Sequence, residues 1–154
     1  ITEALGSKEN MLECKEAVNK LKKMFDDFYN KSFGKLIPVR AEVVVGDKDW
    51  GVTGMIDQLF YNEKSQKLEI WDWKTNKAIK ENNKWQQFKE PLSHLDVCEL
   101  NTYSLQLSFY KLIVERNTKL DLGDSYIVWF NENNDTYKII KCYDFRDEIL
   151  KIMN

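Results

Sequence analysis

Hydrophobic residues recur along this chain first at alternating spacings of three and four, then at spacings of two. Met11, Cys14, Val18, Leu21, Phe25 and Phe28 make the first pattern, which predicts a helix over about 8–29 with those side chains as its buried stripe. Such a stripe is core, not a cofactor box, and Ser32-Phe33-Gly34 is expected to stop the helix. Three strands are expected near 37–45, 52–61 and 67–75. A loop with a short helix then leads to a second long helix over about 101–116. Strands near 125–131 and 136–143 follow, and Asp144 is placed to cap a last helix through 152. The order is α-β-β-β-α-β with an added strand and helix, an α/β (α+β) arrangement.

Alternation decides which polar groups in the strands meet, because residues two apart on a strand face the same way. Leu68, Ile70, Asp72 and Lys74 form one row, and Glu69, Trp71, Trp73 and Thr75 the other. An acid and an amine thus leave one apolar row together. In the preceding strand Thr53, Met55, Asp57, Leu59 and Tyr61 share a row, and Glu63-Lys64-Ser65-Gln66 reads as the turn of an antiparallel hairpin. That hairpin sets Asp57 across from Asp72.

Two ionised carboxylates side by side repel, so either one holds a raised pKa or a cation neutralises both. Hard oxygen donors suit Mg²⁺ or Mn²⁺, and the carbonyl of Trp73 adds a backbone ligand between the two functional side chains. Lys74 would offset charge developing on a phosphoryl oxygen or orient the attacking water. An isolated Asp-x-Lys is usually a solvated pair of small energetic worth. Here it sits in a strongly apolar strand, with Gly54-x-x-Asp57 one hairpin upstream and Gln106-x-x-x-Tyr110 downstream on one helix face.

Gly54/Asp57, Asp72/Lys74/Thr75 and Gln106/Tyr110 together resemble the PD-(D/E)XK nuclease superfamily and, within it, the RecB-like branch. The Asp-Trp-Lys-Thr tetrapeptide is similar to that of mitochondrial genome maintenance exonucleases and several phage exonucleases. The resemblance spans roughly 37–145 and implies a restriction-endonuclease-like αβββαβ core, a mixed central sheet flanked by helices. It also implies a metal held by Asp57 and Asp72, a catalytic Lys74, and Gln106 and Tyr110 orienting the site and contacting nucleic acid. The family often adds a glutamate from the first core strand, for which Glu42 is the candidate, as well as a His or Glu from the first helix. No histidine lies in that helix, which offers Glu13 and Glu16, so one ion or two both remain open. His94, the only histidine, falls in a turn-like stretch and reads as an ordinary loop residue.

A net charge of −2 gives no overall bias toward nucleic acid, so a binding face must be local. Lys77, Lys80, Lys84 and Lys89 interleave with Trp85, Gln86, Gln87 and Phe88, which joins phosphate-binding charge to stacking surfaces. The alternative is a polar linker whose Trp85 and Phe88 tuck into the core. The functional expectation is a Mg²⁺- or Mn²⁺-dependent DNA nuclease, an exonuclease or processing enzyme. Its substrate would be DNA, single-stranded or with free ends, with a helicase or another replication or recombination domain as partner. A catalytically inactive nuclease fold, serving as a nucleic-acid-binding or scaffold module of a larger protein, is the competing reading.

At 154 residues the chain suits one domain, and its start at Ile1 fits a domain excised from a longer chain. The first residues lack the basic end and apolar run of a signal peptide, and no segment is long and apolar enough for a membrane span. Cys14, Cys98 and Cys142 are distant and odd in number, which points to reduced thiols in a cytoplasmic setting, a host's if phage-encoded. Three cysteines also exclude a four-cysteine iron–sulfur cluster within this chain, unlike the cluster-bearing RecB-like nucleases. Phosphate-binding P-loops, zinc-protease helices and nucleophile elbows have no matching motif.

Overall fold

The structure, a computed structural model, describes residues 8–32 and 34–153. In chain order the elements are α1 (Lys8–Ser32), β1 (Leu36–Asp47), β2 (Val52–Asn62), β3 (Lys67–Lys74), α2 (Glu99–Asn117), β4 (Leu122–Trp129), β5 (Lys138–Lys141) and α3 (Arg146–Met153). The five strands form one sheet in the order β1-β2-β3-β4-β5. Neighbours are antiparallel except β3 and β4, which run parallel. A parallel pair needs a crossover, and α2 is that crossover. The mixed sheet with helices on its faces is the expected architecture. Among the described residues no helix is long and apolar enough to cross a membrane.

Two cores result from strand alternation. Ile70 and Ile127 point to the α2 side, where they pack with Val45, Leu107 and Ile113. Their neighbours Trp71 and Val128 point to the other side and pack with Met24, Phe28, Phe60 and Phe130. β3 and β4 are thus buried on both faces, which is why they read as apolar runs around Asp72. Each fully buried side chain of this size contributes about 1.5–3 kcal/mol.

Several expectations are corrected. Of the stripe predicted for α1, Phe28 is buried and Leu21 half-buried, whereas Met11, Cys14, Val18 and Phe25 are exposed. Only the C-terminal part of α1 lies on the sheet, so helical spacing marked an amphipathic face that is covered over about half its length. Phe33, in the expected stop, lies outside the described residues; Gly34 after it adopts φ 80°. The stretch between β3 and α2 contains no helix among the described residues. It is an arm of turns pinned by side chains: Asn83 N donates to Asp96 Oδ2 at 3.0 Å, and Asn83 Nδ2 to the Val97 carbonyl at 2.9 Å.

The single row expected on β2 is also corrected. Leu59 lies opposite Ile70 and faces α2, yet Gly54 and Ile56 face α2 as well, while Met55 is exposed. The alternation slips between Ile56 and Asp57. Across from that point β1 carries Glu42 in the left-handed region at φ 50°, between Ala41, paired with Gln58, and Val43, paired with Ile56. A non-glycine residue held there costs about 1–2 kcal/mol, and its reversed backbone lets both strands change phase beside Asp57.

The last elements follow expectation within a few residues. β4 begins at Leu122 and β5 is shorter than expected, at Lys138–Lys141. Asp144 Oδ1 accepts from Arg146 N at 3.3 Å at the start of α3.

Candidate active site

The β2–β3 ladder has its last pair at Gln58 and Trp71, so the next opposed positions are Asp57 and Asp72. There the strands separate, and a side chain replaces the missing rung: Trp73 N donates to Asp57 Oδ2 at 3.1 Å. In a strand the N–H and C=O of one residue point to the same side, so the Trp73 carbonyl also faces the gap in which Asp57 lies. β3 remains attached on its other edge, where Phe130 N donates to the Lys74 carbonyl at 2.8 Å. The result is a fork open on the β2 side and rigid on the β4 side.

Asp72 is buried, with 4% of its surface exposed, on the α2 face of the sheet. Burial raises its pKa above the ordinary carboxylate value of 3.8; contact with the Lys74 ammonium pulls it down, and the Asp57 carboxylate pushes it up again. Lys74 lies against Asp72 Oδ2 as an ion pair. Among the described residues this buried oxygen has no partner besides the Lys74 ammonium. A buried carboxylate with a single charged partner keeps unused acceptor capacity. Asp72 is a hard oxygen donor beside a second carboxylate and a carbonyl, and that donor set fits a divalent cation of the Mg²⁺ or Mn²⁺ type.

α2 closes the site from above. Gln106 Nε2 donates to the Tyr110 hydroxyl at 2.9 Å, one helical turn away. The Tyr110 ring lies over Gly54, where any Cβ would overlap it. Gly54, Asp57, Asp72, Lys74, Gln106 and Tyr110 therefore belong to one end of one sheet face.

Other sequence candidates stand apart. Glu42 is exposed and its opposed position is Asp57, but among the described residues no three His, Cys, Asp or Glu side chains form a group placed to hold a metal. Glu13 and Glu16 are exposed on α1, which packs on the opposite face from Asp72. His94 is half exposed, with Nε2 3.6 Å from Glu148 Oε1. Lys77, Lys80, Lys84 and Lys89 are exposed along the arm, and Trp85, at 94% exposure, is not tucked into the core. Cys98 and Cys142 are buried and Cys14 exposed, all as free thiols; burial pushes the Cys142 thiol up to about 12, so it is inert at neutral pH.

Tyr103 is a further residue at the site, its ring centroid 4.6 Å from Lys74 Nζ. Its helical spacing of three from Gln106 and seven from Tyr110 was the available signal.

Two acids and a lysine thus stand at the parted end of a hairpin on a mixed sheet, covered by a glutamine–tyrosine pair. The sequence matches the model of the PD-(D/E)XK nuclease superfamily over residues 3–148, and the chain belongs to that superfamily. No curated protein matches it.

Proposed function

We propose that this protein is a divalent-metal-dependent DNA nuclease of the RecB-like branch, an exonuclease that degrades single strands or strands with free ends. The observation that carries this reading is the open fork, with Asp57, Asp72 and the Trp73 carbonyl turned toward one gap and Lys74 beside it. Asp57, Asp72 and the Trp73 carbonyl would hold Mg²⁺ or Mn²⁺. When bound, such an ion makes water a better nucleophile near neutral pH and stabilises charge on a phosphoryl oxygen.

The chain's own groups do the rest. Hydrolysis forms a P–O bond from water, breaks the P–O bond to one sugar oxygen and leaves a proton on that oxygen. Lys74 supplies an ammonium beside the phosphate, where excess negative charge collects, and its half-buried setting strengthens that attraction. Tyr110, whose hydroxyl oxygen is occupied by Gln106, keeps its own O–H to donate to a phosphate oxygen. The Lys77, Lys80 and Lys84 ammoniums would track the backbone leading to the fork, and Trp85 would stack on a base. Glu42 would serve as an outer acid acting through water. The setting would be the cytoplasm, or a host's cytoplasm, with a helicase or recombination domain delivering the strand.

The test is cleavage of end-labelled linear single- and double-stranded DNA beside a closed circle, with Mn²⁺, Mg²⁺ or EDTA, in wild type, Asp72→Ala and Lys74→Ala. Metal-dependent loss of the linear strands alone, absent in both variants, is expected. Cutting of the circle would make it an endonuclease. No cleavage with DNA binding retained would assign the inactive-module reading.

A further inference from the structure

Lys74 has a second partner besides Asp72. Its Nζ lies 4.6 Å from the ring centroid of Tyr103 on α2, inside the range of roughly 6 Å in which a ring's negative face attracts an ammonium. The Lys74 side chain is only 18% exposed and Tyr103 is half-buried, so the contact is partly shielded from water, where such attractions are strongest. Among the described residues the Tyr103 hydroxyl makes no side-chain hydrogen bond to Lys74, Gln106 or Tyr110. The ring face, not the hydroxyl, is what meets the ammonium.

We propose that Tyr103 is a positioning residue for Lys74, a proposal that rests on the nuclease reading above. A lysine side chain is a point charge on a flexible stem, and ordering it costs rotamer entropy. Asp72 alone holds the ammonium by charge, but Asp72 Oδ2, the oxygen that Lys74 touches, is also the buried donor at the fork. A ligand that takes up that carboxylate weakens its pull on Lys74. The Tyr103 ring is neutral: it attracts the ammonium without neutralising it and without competing for a cation. α2 fixes it rigidly, on the same helix face as Gln106 and Tyr110. With Asp72 engaged elsewhere, the ring keeps Lys74 at the fork with its full charge.

Two readouts on the full chain test this, using Tyr103→Phe, which keeps the ring face, and Tyr103→Leu, which removes it. The first needs neither metal nor DNA: in protein labelled with ¹³C-lysine, the Lys74 ε-methylene signal, identified by its loss in Lys74→Arg, is expected upfield in wild type and Tyr103→Phe from the ring current. It should return to the ordinary lysine position in Tyr103→Leu. An ordinary position in wild type overturns the contact. The second is turnover: Tyr103→Leu is expected to lose about tenfold in kcat at unchanged KM for DNA, and Tyr103→Phe less than about twofold. Equal losses in both variants, or a loss confined to KM, overturn the positioning role in favour of the hydroxyl or of a direct DNA contact. If Tyr103→Leu unfolds near assay temperature, Tyr103→Met takes its place. Absence of cleavage in wild type overturns the nuclease reading and the catalytic role with it, while the shifted signal would by itself still establish the contact.

Discussion

The ring of Tyr110 lies on the bare backbone of Gly54: a Cβ at position 54 would overlap Tyr110 Cε1 and stand 2.9 Å from Cζ. The relationship joins the glycine of the first motif to the tyrosine of the third, across the sheet–helix boundary. Gly54→Ala must therefore displace the Tyr110 ring, whose hydroxyl accepts from Gln106. Overpacking of this kind costs about 1–3 kcal/mol. The expected outcome is a lower unfolding midpoint and a loss of cleavage. In Gly54→Ala/Tyr110→Ala the stability loss should be smaller than the sum of the single losses, because contacting residues couple. Strict additivity in chemical denaturation would contradict the contact.

Asp72 dictates a pH dependence. Its folded pKa is raised above 3.8, burial being the largest cause. The folded state therefore holds the proton more tightly than the unfolded chain, and stability is fully present below about pH 4 and lost as pH rises through the folded value. Asp72→Asn, which cannot ionise, is expected to raise the metal-free melting temperature at pH 7, with the gain fading toward pH 4. Melting curves in EDTA across that range check it; a gain independent of pH would remove the carboxylate from the explanation.

Metal addition should reverse that penalty, since an ion on Asp57 and Asp72 stabilises the ionised forms. Mn²⁺ is expected to raise the melting temperature of wild type, and EDTA to abolish the gain. Asp57→Ala should show no gain. An equal shift in that variant would locate the ion elsewhere.

Trp85 is 94% exposed and anchors no core, so Trp85→Ala should leave stability within about 0.5 kcal/mol of wild type. Base stacking contributes about 1–3 kcal/mol, so its removal should weaken single-strand binding by roughly five- to 150-fold. Each of Lys77→Ala, Lys80→Ala and Lys84→Ala should lower the slope of log affinity against log salt by about 0.7. Fluorescence anisotropy with a labelled oligonucleotide in EDTA reads both effects.

The two halves of α1 should differ sharply. Phe28→Ala empties a fully buried position and is expected to cost about 3–5 kcal/mol. Val18, at 62% exposure, lies on the uncovered part, and Val18→Asn should cost no more than about 0.5 kcal/mol. Urea unfolding of the two variants distinguishes a covered stripe from an open one.

Most of the sheet was legible because its information is local. Ile70, Trp71, Asp72 and Trp73 alternate with period two whatever surrounds them, and the hairpin turn at 63–66 counts off the register that opposes Asp57 to Asp72. The i,i+4 spacing of Gln106 and Tyr110 is likewise written into any helix that contains them. Tertiary structure decided what depends on a second element. Whether Met11 and Val18 are core depends on how far the sheet extends beneath α1. Whether Met55 follows Asp57 to one face depends on the left-handed turn at Glu42 on the neighbouring strand. That Lys74 rests on Tyr103 depends on α2 crossing over β3 at this height, a contact between residues 29 positions apart that no short-range period encodes. Periodicity dictates the direction in which a side chain leaves its own backbone; only packing dictates what it meets.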